Sequence, residues 1–289
     1  MNPAIASMLE RYQCESRLDY ENALKEIIQE VCLLGLWRSK FFQHAAFFGG
    51  TALRVLYGLD RFSEDIDFSL LTPRSDFDLQ PHLSAIESEL SGMDFNVEIA
   101  KKPKTVETAV ESAFIKASTQ EQFLKIEVPA EISERIARND RIKVKLEVDT
   151  DPPGSFETEA KTLLQPIAFS VNSYKLPDLF AGKIHAVLQR AWQSGRIKGR
   201  DYYDFVWYLG RGTPVRLNHL EQRLRQSKAW ISAETLSMPV LQNLLQEKFS
   251  VVDFELAKQD VLPFLKDQSA VAMWSKDFFL SLLPRLKGC

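Results

Sequence analysis

The period of the hydrophobic residues changes once along the chain, and this change limits the folds that the chain can adopt. Short apolar runs typical of β-strands are frequent before residue 172, whereas almost every window after residue 177 has the helical period. The predicted strands are 45–48, 66–71, 95–100, 114–117, 123–128, 142–148 and 163–171. The predicted helices are 18–42, 51–57, 81–90, 177–193, 200–209, 217–228, 238–250, 254–265 and 269–286.

A block of strands followed by a block of helices indicates an α+β fold class. We expect two lobes because a single core rarely extends over a chain of 289 residues. The first lobe, residues 1–172, contains the strands and an amphipathic N-terminal helix; the second, residues 173–289, is helical. The segment Asp151-Pro152-Pro153-Gly154 follows the strand predicted at 142–148, and its prolines and glycine end regular secondary structure there.

Composition excludes several classes of protein. Of the residues, 45% are hydrophobic and 26% are charged, and no apolar run is long enough to span a membrane. The N-terminus lacks a basic segment followed by an apolar one, so we expect no signal peptide and a cytoplasmic location. Cys14, Cys32 and Cys289 have no metal-site spacing. Because the net charge is -3, any nucleic-acid contact must be local.

Asp65 and Asp67 interrupt an apolar run, and in a strand their side chains share one face while Ile66 and Phe68 occupy the other. Two adjacent carboxylates repel each other unless a cation lies between them. Mg²⁺ prefers oxygen ligands of this kind and often completes its shell with substrate phosphates. The aspartates are therefore candidate metal ligands, although a capped and exposed turn would have the same composition.

A second strand, residues 141–149, alternates in the same way and places Lys145, Glu147 and Asp149 on one face. If it neighbours the aspartate strand, it supplies a third carboxylate. A half-exposed edge strand would show the same alternation.

The pair Gly49-Gly50 lies between a predicted strand and a predicted helix, with Thr51 next to it. Backbone N–H groups at such a helix start can bind phosphate because no side chain blocks the approach. A plain turn is the alternative interpretation.

Two cations, Lys183 and Arg190, fall on one stripe of the helix predicted at 177–193 and could clamp a triphosphate. They could also be ordinary surface residues with buried stems. Asp201 and Asp204 follow near the start of the next helix, where a helix-capping arrangement is the alternative to a role in the site.

Taken in order, these motifs resemble those of the AbiEii/AbiGii-type nucleotidyltransferase toxins, which belong to the DNA polymerase β-like nucleotidyltransferase superfamily. Four segments carry the resemblance: Gly49-Gly50 with Asp65 and Asp67; Lys145, Glu147 and Thr150; the helix FAGKIHAVLQR with Lys183 and Arg190; and Asp201 with Asp204. They extend over residues 47–204. The second motif has Glu147 where Asp is usual, which leaves Asp149 as the alternative third carboxylate.

The resemblance implies a polymerase β-like lobe with a mixed sheet and a helical lobe that completes the active-site cleft. It implies that Mg²⁺ is held by Asp65, Asp67 and Glu147, or by Asp149 in place of Glu147. The catalytic set would include Lys183 and Asp204. Nucleotide binding would involve Gly49, Gly50, Thr51, Lys145, Lys183 and Arg190.

The implied activity is transfer of NMP from NTP to an acceptor hydroxyl by the toxin of a type IV-like toxin–antitoxin, or abortive infection, system. The expected partners are NTP, an RNA acceptor at the 3′ end of tRNA, and a cognate antitoxin. Candidate RNA contacts are Lys101, Lys102, Lys104 and the basic loop 194–200, which contains Arg196, Lys198 and Arg200. The alternatives are nucleotidylation of a protein or small molecule, and a non-catalytic NTP-binding module.

Overall fold

The computed structural model describes residues 2–102, 109–133, 136–137, 139–190 and 197–289. The chain divides into two compact units. One contains Met1–Tyr57, Phe62–Pro152 and Glu159–Ser173, and the other contains Gly58–Arg61, Pro153–Thr158 and Tyr174–Cys289. No helix in the described part of the chain is both long and apolar enough to cross a membrane.

The first unit contains the sheet and six α-helices among its described residues. The helices are Pro3–Leu9 (α1), Arg17–Arg38 (α2), Gly49–Tyr57 (α3), Gln80–Gly92 (α4), Thr119–Lys125 (α5) and Ala130–Ser133 (α6). The strands are Ala45–Phe48 (β1), Asp65–Leu70 (β2), Val97–Lys101 (β3), Val110–Ser118 (β4), Arg141–Asp149 (β5), Thr158–Leu163 (β6) and Phe169–Tyr174 (β7), the first residue of β6 and the last of β7 belonging to the other unit.

The seven strands form one mixed sheet in the order β3-β4-β5-β2-β1-β7-β6, which confirms the α+β class. Strand β2 lies at the centre, antiparallel to β1 and parallel to β5. Its apolar residues Ile66 and Phe68 are fully buried, and the Phe68 ring packs edge-on against Phe41 with 5.0 Å between centroids. The central position of β2 fixes the two aspartates that alternate with these residues.

Helix α2 covers residues 18–38 of the helix predicted at 18–42, but every residue from Glu26 to Leu36 is buried, so this part is covered on more than the one face that an amphipathic pattern predicts. It begins at Ser16, whose hydroxyl accepts the N–H of Asp19 while the Asp19 carboxylate accepts the N–H of Ser16. Its buried Glu26 and Glu30 are paired with Arg54 and Arg11 at 2.7 and 3.0 Å. These ion pairs let a helix with polar residues on every side lie inside the unit.

Two of the predicted strands differ from the structure. Residues 123–128 are not a strand, because Ser118 caps α5 by accepting the N–H of Glu121 and this helix covers the first three residues of the run. The run predicted at 163–171 is split into β6 and β7 by a turn that contains Pro166, whose nitrogen cannot donate to a strand ladder.

The second unit is helical, with helices Leu176–Gln189 (α7), Gly199–Gly210 (α8), Leu217–Gln226 (α9), Met238–Val251 (α10), Phe254–Val261 (α11) and Lys276–Leu282 (α12). Its core includes buried aromatic rings; Phe254 and Phe279 stack at 4.4 Å, and Phe205 packs on Phe249 at 5.4 Å. The helix predicted at 269–286 is interrupted, because Ser275 caps a new helix by accepting the N–H of Phe278.

A buried histidine makes the stability of this second unit dependent on pH. On α9, the Nδ1 of His219 lies 2.8 Å from the carbonyl of Gly154 and its Nε2 accepts from Arg223 at 2.9 Å. Burial, and then the charge of Arg223, lower the pKa of His219 from 6.5 to about 3. The unfolded chain therefore takes up a proton before the folded chain does as the pH falls, and this destabilises the fold.

We predict that this histidine removes about 2–3 kcal/mol from the free energy of unfolding between pH 7 and pH 4.5, where only the unfolded state is protonated. Urea unfolding of the native protein and of His219→Gln at both pH values measures the effect. The variant should lose less stability than the native protein over this interval. Equal losses in the two proteins would show that the pKa of His219 is not lowered in the folded state.

Candidate active site

The two aspartates of β2 share one face of the strand, with Ile66 and Phe68 in the core on the other. In the strand register, Asp67 lies beside Phe48 of β1 and beside Glu147 of β5. Asp65 lies beside Lys145 in the same register. The sequence motifs on β2 and β5 therefore meet in the middle of the sheet.

The register also separates the two candidates for a third carboxylate. Glu147 is the direct neighbour of Asp67, whereas Asp149 is paired with Ser69, further along the strand. Asp149 accepts the N–H of Asp151 at 3.0 Å and so stabilises the turn that ends β5. Position in the sheet thus favours Glu147.

The carboxylate of Glu147 is held by neighbours on its own face of the sheet. The ammonium of Lys145 lies 2.7 Å away, and the hydroxyl of Ser112 on β4 donates to it at 3.4 Å. Across the described residues, no group of three or more His, Cys, Asp or Glu side chains is arranged to hold a metal ion. The aspartate pair has the all-oxygen chemistry that suits Mg²⁺, which commonly takes one or two carboxylates and completes its shell with water and phosphate.

Gly49 brings the start of α3 directly against Asp67. It has a φ of +82°, in the left-handed region that glycine tolerates best. A Cβ atom at this position would lie 2.5 Å from Oδ2 of Asp67, which is too close for any side chain. The missing side chain therefore creates the space that the Asp67 carboxylate occupies at the beginning of the helix.

Thr51 fastens α3 to the aspartate strand. Its side chain is fully buried, and its hydroxyl donates a hydrogen bond to the backbone carbonyl of Asp65. This contact gives Thr51 a positioning role, and the predicted contact of its hydroxyl with nucleotide stays a prediction. Gly50 is the second residue of the same helix and is only half-buried.

In the second unit, Lys183 of α7 is enclosed by two carboxylates of α8. Its ammonium lies 2.7 Å from Oδ1 of Asp201 and 2.8 Å from Oδ2 of Asp204. The interpretation of these aspartates as helix caps was wrong, because the N-cap of α8 is Lys198 and the first N–H of the helix, that of Gly199, donates to the carboxylate of Asp260 at 3.0 Å. Burial alone would raise the pKa of both carboxyls, but the neighbouring cations outweigh it and lower them.

Arg61 is a member of this cluster that the sequence motifs did not identify. Its guanidinium is buried and forms a two-pronged contact with Asp204, with Nε to Oδ1 at 2.7 Å and a terminal nitrogen to Oδ2 at 2.6 Å. The buried pairing therefore makes Arg61 part of the cluster and not a surface residue.

Arg190 lies just beyond the end of α7, so it is not on the helical stripe that the sequence predicted. The helix ends at Gln189, and Arg190 has extended backbone angles. Its guanidinium contacts Asp201 while 49% of its side chain remains exposed. Arg61, Asp204, Lys183, Asp201 and Arg190 thus form a chain of alternating charges, which we call the ion-pair chain, with one positive charge in excess.

Two of the six predicted basic contacts for RNA contact other groups of the protein. Lys101 is paired with Asp78 and Glu111, each at 2.8 Å. Arg200 lies over the ring of Phe264, 4.2 Å from its centroid. Lys104 and Arg196, with residues 194–195 of the loop, lie outside the described residues.

We predict that Gly49→Ala lowers the free energy of unfolding by about 2 kcal/mol more than Gly58→Ala does, because the new methyl group collides with Asp67. Gly58 is the matched control, since its φ is +74° but a Cβ there would meet nothing within 4 Å. Urea unfolding of both variants measures the difference. Equal destabilisation would mean that Asp67 does not lie against Gly49.

We also predict that Arg61→Ala lowers the free energy of unfolding by about 3–5 kcal/mol, since it leaves the buried Asp204 without its principal partner. The control is Arg74→Ala, which removes an exposed arginine 3.5 Å from Asp76 and should change stability little. If thermal and urea unfolding show that both variants are as stable as the native protein, the buried Asp204 does not need Arg61 as a partner.

Two solved structures from Helicobacter pylori are similar to the chain over most of its length. The structure of JHP933 from Helicobacter pylori is 17% identical, with a TM-score of 0.49, and the match covers 91% of this chain and 88% of that one. A second H. pylori protein, to which a nucleotidyltransferase activity is provisionally assigned, is also 17% identical, with a TM-score of 0.47 and coverages of 90% and 89%. No curated protein matches the chain.

The family comparison is more extensive. The model of the family described as "Nucleotidyl transferase AbiEii toxin, Type IV TA system" matches residues 31–281. That match includes the aspartate strand, the Glu147 strand and every member of the ion-pair chain. The chain belongs to the AbiEii nucleotidyltransferase toxin family of type IV toxin–antitoxin systems.

Proposed function

We propose that the protein is a Mg²⁺-dependent nucleotidyltransferase that moves NMP from NTP to an acceptor hydroxyl, and that it acts as a toxin. The observation that carries the proposal is the contact between two motifs in the first unit. Gly49, at the start of α3, leaves space for the carboxylate of Asp67, which is next to Glu147 in the sheet. A helix N-terminus beside paired carboxylates suits a metal–triphosphate substrate.

Asp65 and Asp67 would hold Mg²⁺, which neutralises charge on the triphosphate when it is bound. The backbone at Gly49 and Gly50 lies at the helix start, where N–H groups can bind phosphate oxygens. Thr51 acts indirectly, by fixing the backbone of Asp65. These residues would orient the nucleotide so that the acceptor hydroxyl attacks the α-phosphorus in line with the departing pyrophosphate.

Glu147 is the residue that we assign to the acceptor hydroxyl. Its carboxylate can accept the proton of that hydroxyl or hold its oxygen in position. Lys145, 2.7 Å away, keeps the carboxylate on the face of the sheet that carries the aspartates. Asp149 is the alternative, but its hydrogen bond within the turn makes it the weaker candidate.

Lys183 and Arg190 of the ion-pair chain are the cations that the sequence motifs assign to the leaving phosphates, and this assignment stays a prediction. Lys183 is only 12% exposed and is shared by two carboxylates, so its main contribution is to position Asp201 and Asp204. Arg190 has a half-exposed guanidinium with five donors, which suits a contact with phosphate. The earlier prediction that the helical unit completes the cleft stays a prediction.

The acceptor is proposed from the family resemblance. Membership of a type IV toxin family supports a cognate antitoxin, and an RNA acceptor, the 3′ end of tRNA, is the substrate that we propose. Transfer to a protein or to a small molecule would use the same site, and the same assay can separate these outcomes if each acceptor is supplied in turn with labelled NTP.

We predict that Asp67→Asn lowers nucleotidyl transfer at least about a hundredfold, because a metal ligand worth several kcal/mol in the transition state is lost. Asp149→Asn is the matched control and should change the rate by only a few-fold. Labelled NTPs, Mg²⁺ and total RNA give the measurement, and circular dichroism checks that each variant is folded. A folded Asp67→Asn protein with full activity would refute the proposed function.

A further inference from the structure

A groove of about 600 Å³ lies in the first unit, lined by residues from the end of α2, the turn that follows and the strands β6 and β7. Its size is typical of a small-molecule or nucleotide site. Trp37, Lys40, Gln43, Ser170 and Asn172 are among its lining residues. None of them belongs to the proposed metal site.

Trp37 gives the groove an aromatic wall. Although α2 is otherwise mostly buried, 38% of this residue is exposed at the end of the helix. Its ring contacts Phe169 at a centroid distance of 6.1 Å, which supports the indole from one side. A supported and partly exposed indole can stack on a planar ring such as a nucleobase.

Lys40 gives the groove a positive charge that is not neutralised within the described residues. It is exposed, has a left-handed φ of 60°, and forms no ion pair with any residue that the structure describes. The neighbouring Arg38 is different, since Glu89 lies 2.7 Å from its guanidinium. A left-handed conformation is uncommon for lysine and places this ammonium-bearing residue in the turn beside Trp37.

Polar side chains complete the lining. Asn172 donates to the carbonyl of Ala45 at 3.2 Å, and its amide oxygen can still accept a hydrogen bond. Gln43 is exposed and has no hydrogen-bond partner for its side chain among the residues that the structure describes. Side-chain amides of this kind can contact the edges of bases.

The groove is distinct from the aspartate site. It adjoins the Ala45 end of β1, whereas Phe48 at the other end of this strand is the register partner of Asp67. The strand separates the two positions by about 10 Å, given a rise of about 3.3 Å per residue.

We propose that this groove binds one unpaired nucleotide of single-stranded RNA, with the base on Trp37, the phosphate on Lys40, and Gln43 and Asn172 at the base edge. Stacking, charge and amide hydrogen bonds are together the means by which proteins bind unpaired nucleotides. An acidic peptide would use Lys40 but has no equivalent need for an indole face and two amides. The inference rests on the proposed function only in taking RNA as the acceptor.

The test is the binding of a short, labelled single-stranded RNA to the full chain without NTP or Mg²⁺, followed by fluorescence anisotropy at several salt concentrations. Trp37→Leu should weaken binding about tenfold. Lys40→Ser should lower the slope of log K against log salt by about 0.7, the share of one phosphate contact, and Lys40→Arg should restore it. Circular dichroism confirms that the variants are folded.

Lys228→Ser is the matched control, because Lys228 is also an exposed lysine with a left-handed φ of 59° and lies in the other unit. It should leave the affinity and the slope unchanged. Native-like RNA binding by both groove variants would overturn the proposal, and so would an equal loss in Lys228→Ser. A glutamate-rich peptide is tested in the same way. If the groove variants lose binding to this peptide but bind RNA as the native protein does, the proposal is overturned in favour of a protein partner.

The same experiment separates this inference from the proposed function. Asp67→Asn should bind RNA as the native protein does, because the groove does not include the aspartates. If the native protein transfers no nucleotide but its RNA binding depends on Trp37 and Lys40, the proposed function fails and the groove assignment holds.

Discussion

The absence of a side chain at Gly49 determines where the carboxylate of Asp67 can lie. With φ at +82°, the backbone at the start of α3 comes so close to Asp67 that a methyl group would lie 2.5 Å from its oxygen. Thr51 adds a hydrogen bond from the same helix to the carbonyl of Asp65. Helix and aspartate strand are therefore held as one piece, and Glu147 is added by register with the neighbouring strand. A strand with two adjacent carboxylates is unfavourable by itself, and a bound cation would compensate it.

In the second unit, ion pairs compensate the buried carboxylates. Buried carboxylates are costly unless they are paired and hydrogen-bonded, and Asp204 meets both conditions through Arg61 and Lys183. Asp201 is paired in the same way with Lys183 and Arg190. The lowered pKa values of the two aspartates follow, because both remain ionised beside these cations despite burial. The ion-pair chain has one more positive than negative charge, and Arg190 is its most exposed member.

Local patterns predicted much of the fold, and long-range pairing explains the rest. Strand β1 matches its prediction, because an apolar run before a glycine pair has few other conformations. The strand predicted at 123–128 was wrong because the apolar composition of this run does not reveal the capped helix α5. The pairing of Arg61 with Asp204 joins residues 143 positions apart, so no local pattern could predict it. The choice between Glu147 and Asp149 likewise needed the register of two strands that are distant in sequence.

The central claim is that Asp65 and Asp67 hold the metal of a metal–triphosphate substrate. Anomalous diffraction from crystals grown with Mn²⁺ and a non-hydrolysable NTP tests it most directly, since Mn²⁺ takes the same oxygen ligands as Mg²⁺. The account predicts an anomalous peak bonded to carboxylate oxygens of both aspartates and to phosphate oxygens, with the triphosphate at the start of α3. A bound nucleotide elsewhere in the protein, with no metal on these two side chains, would contradict it.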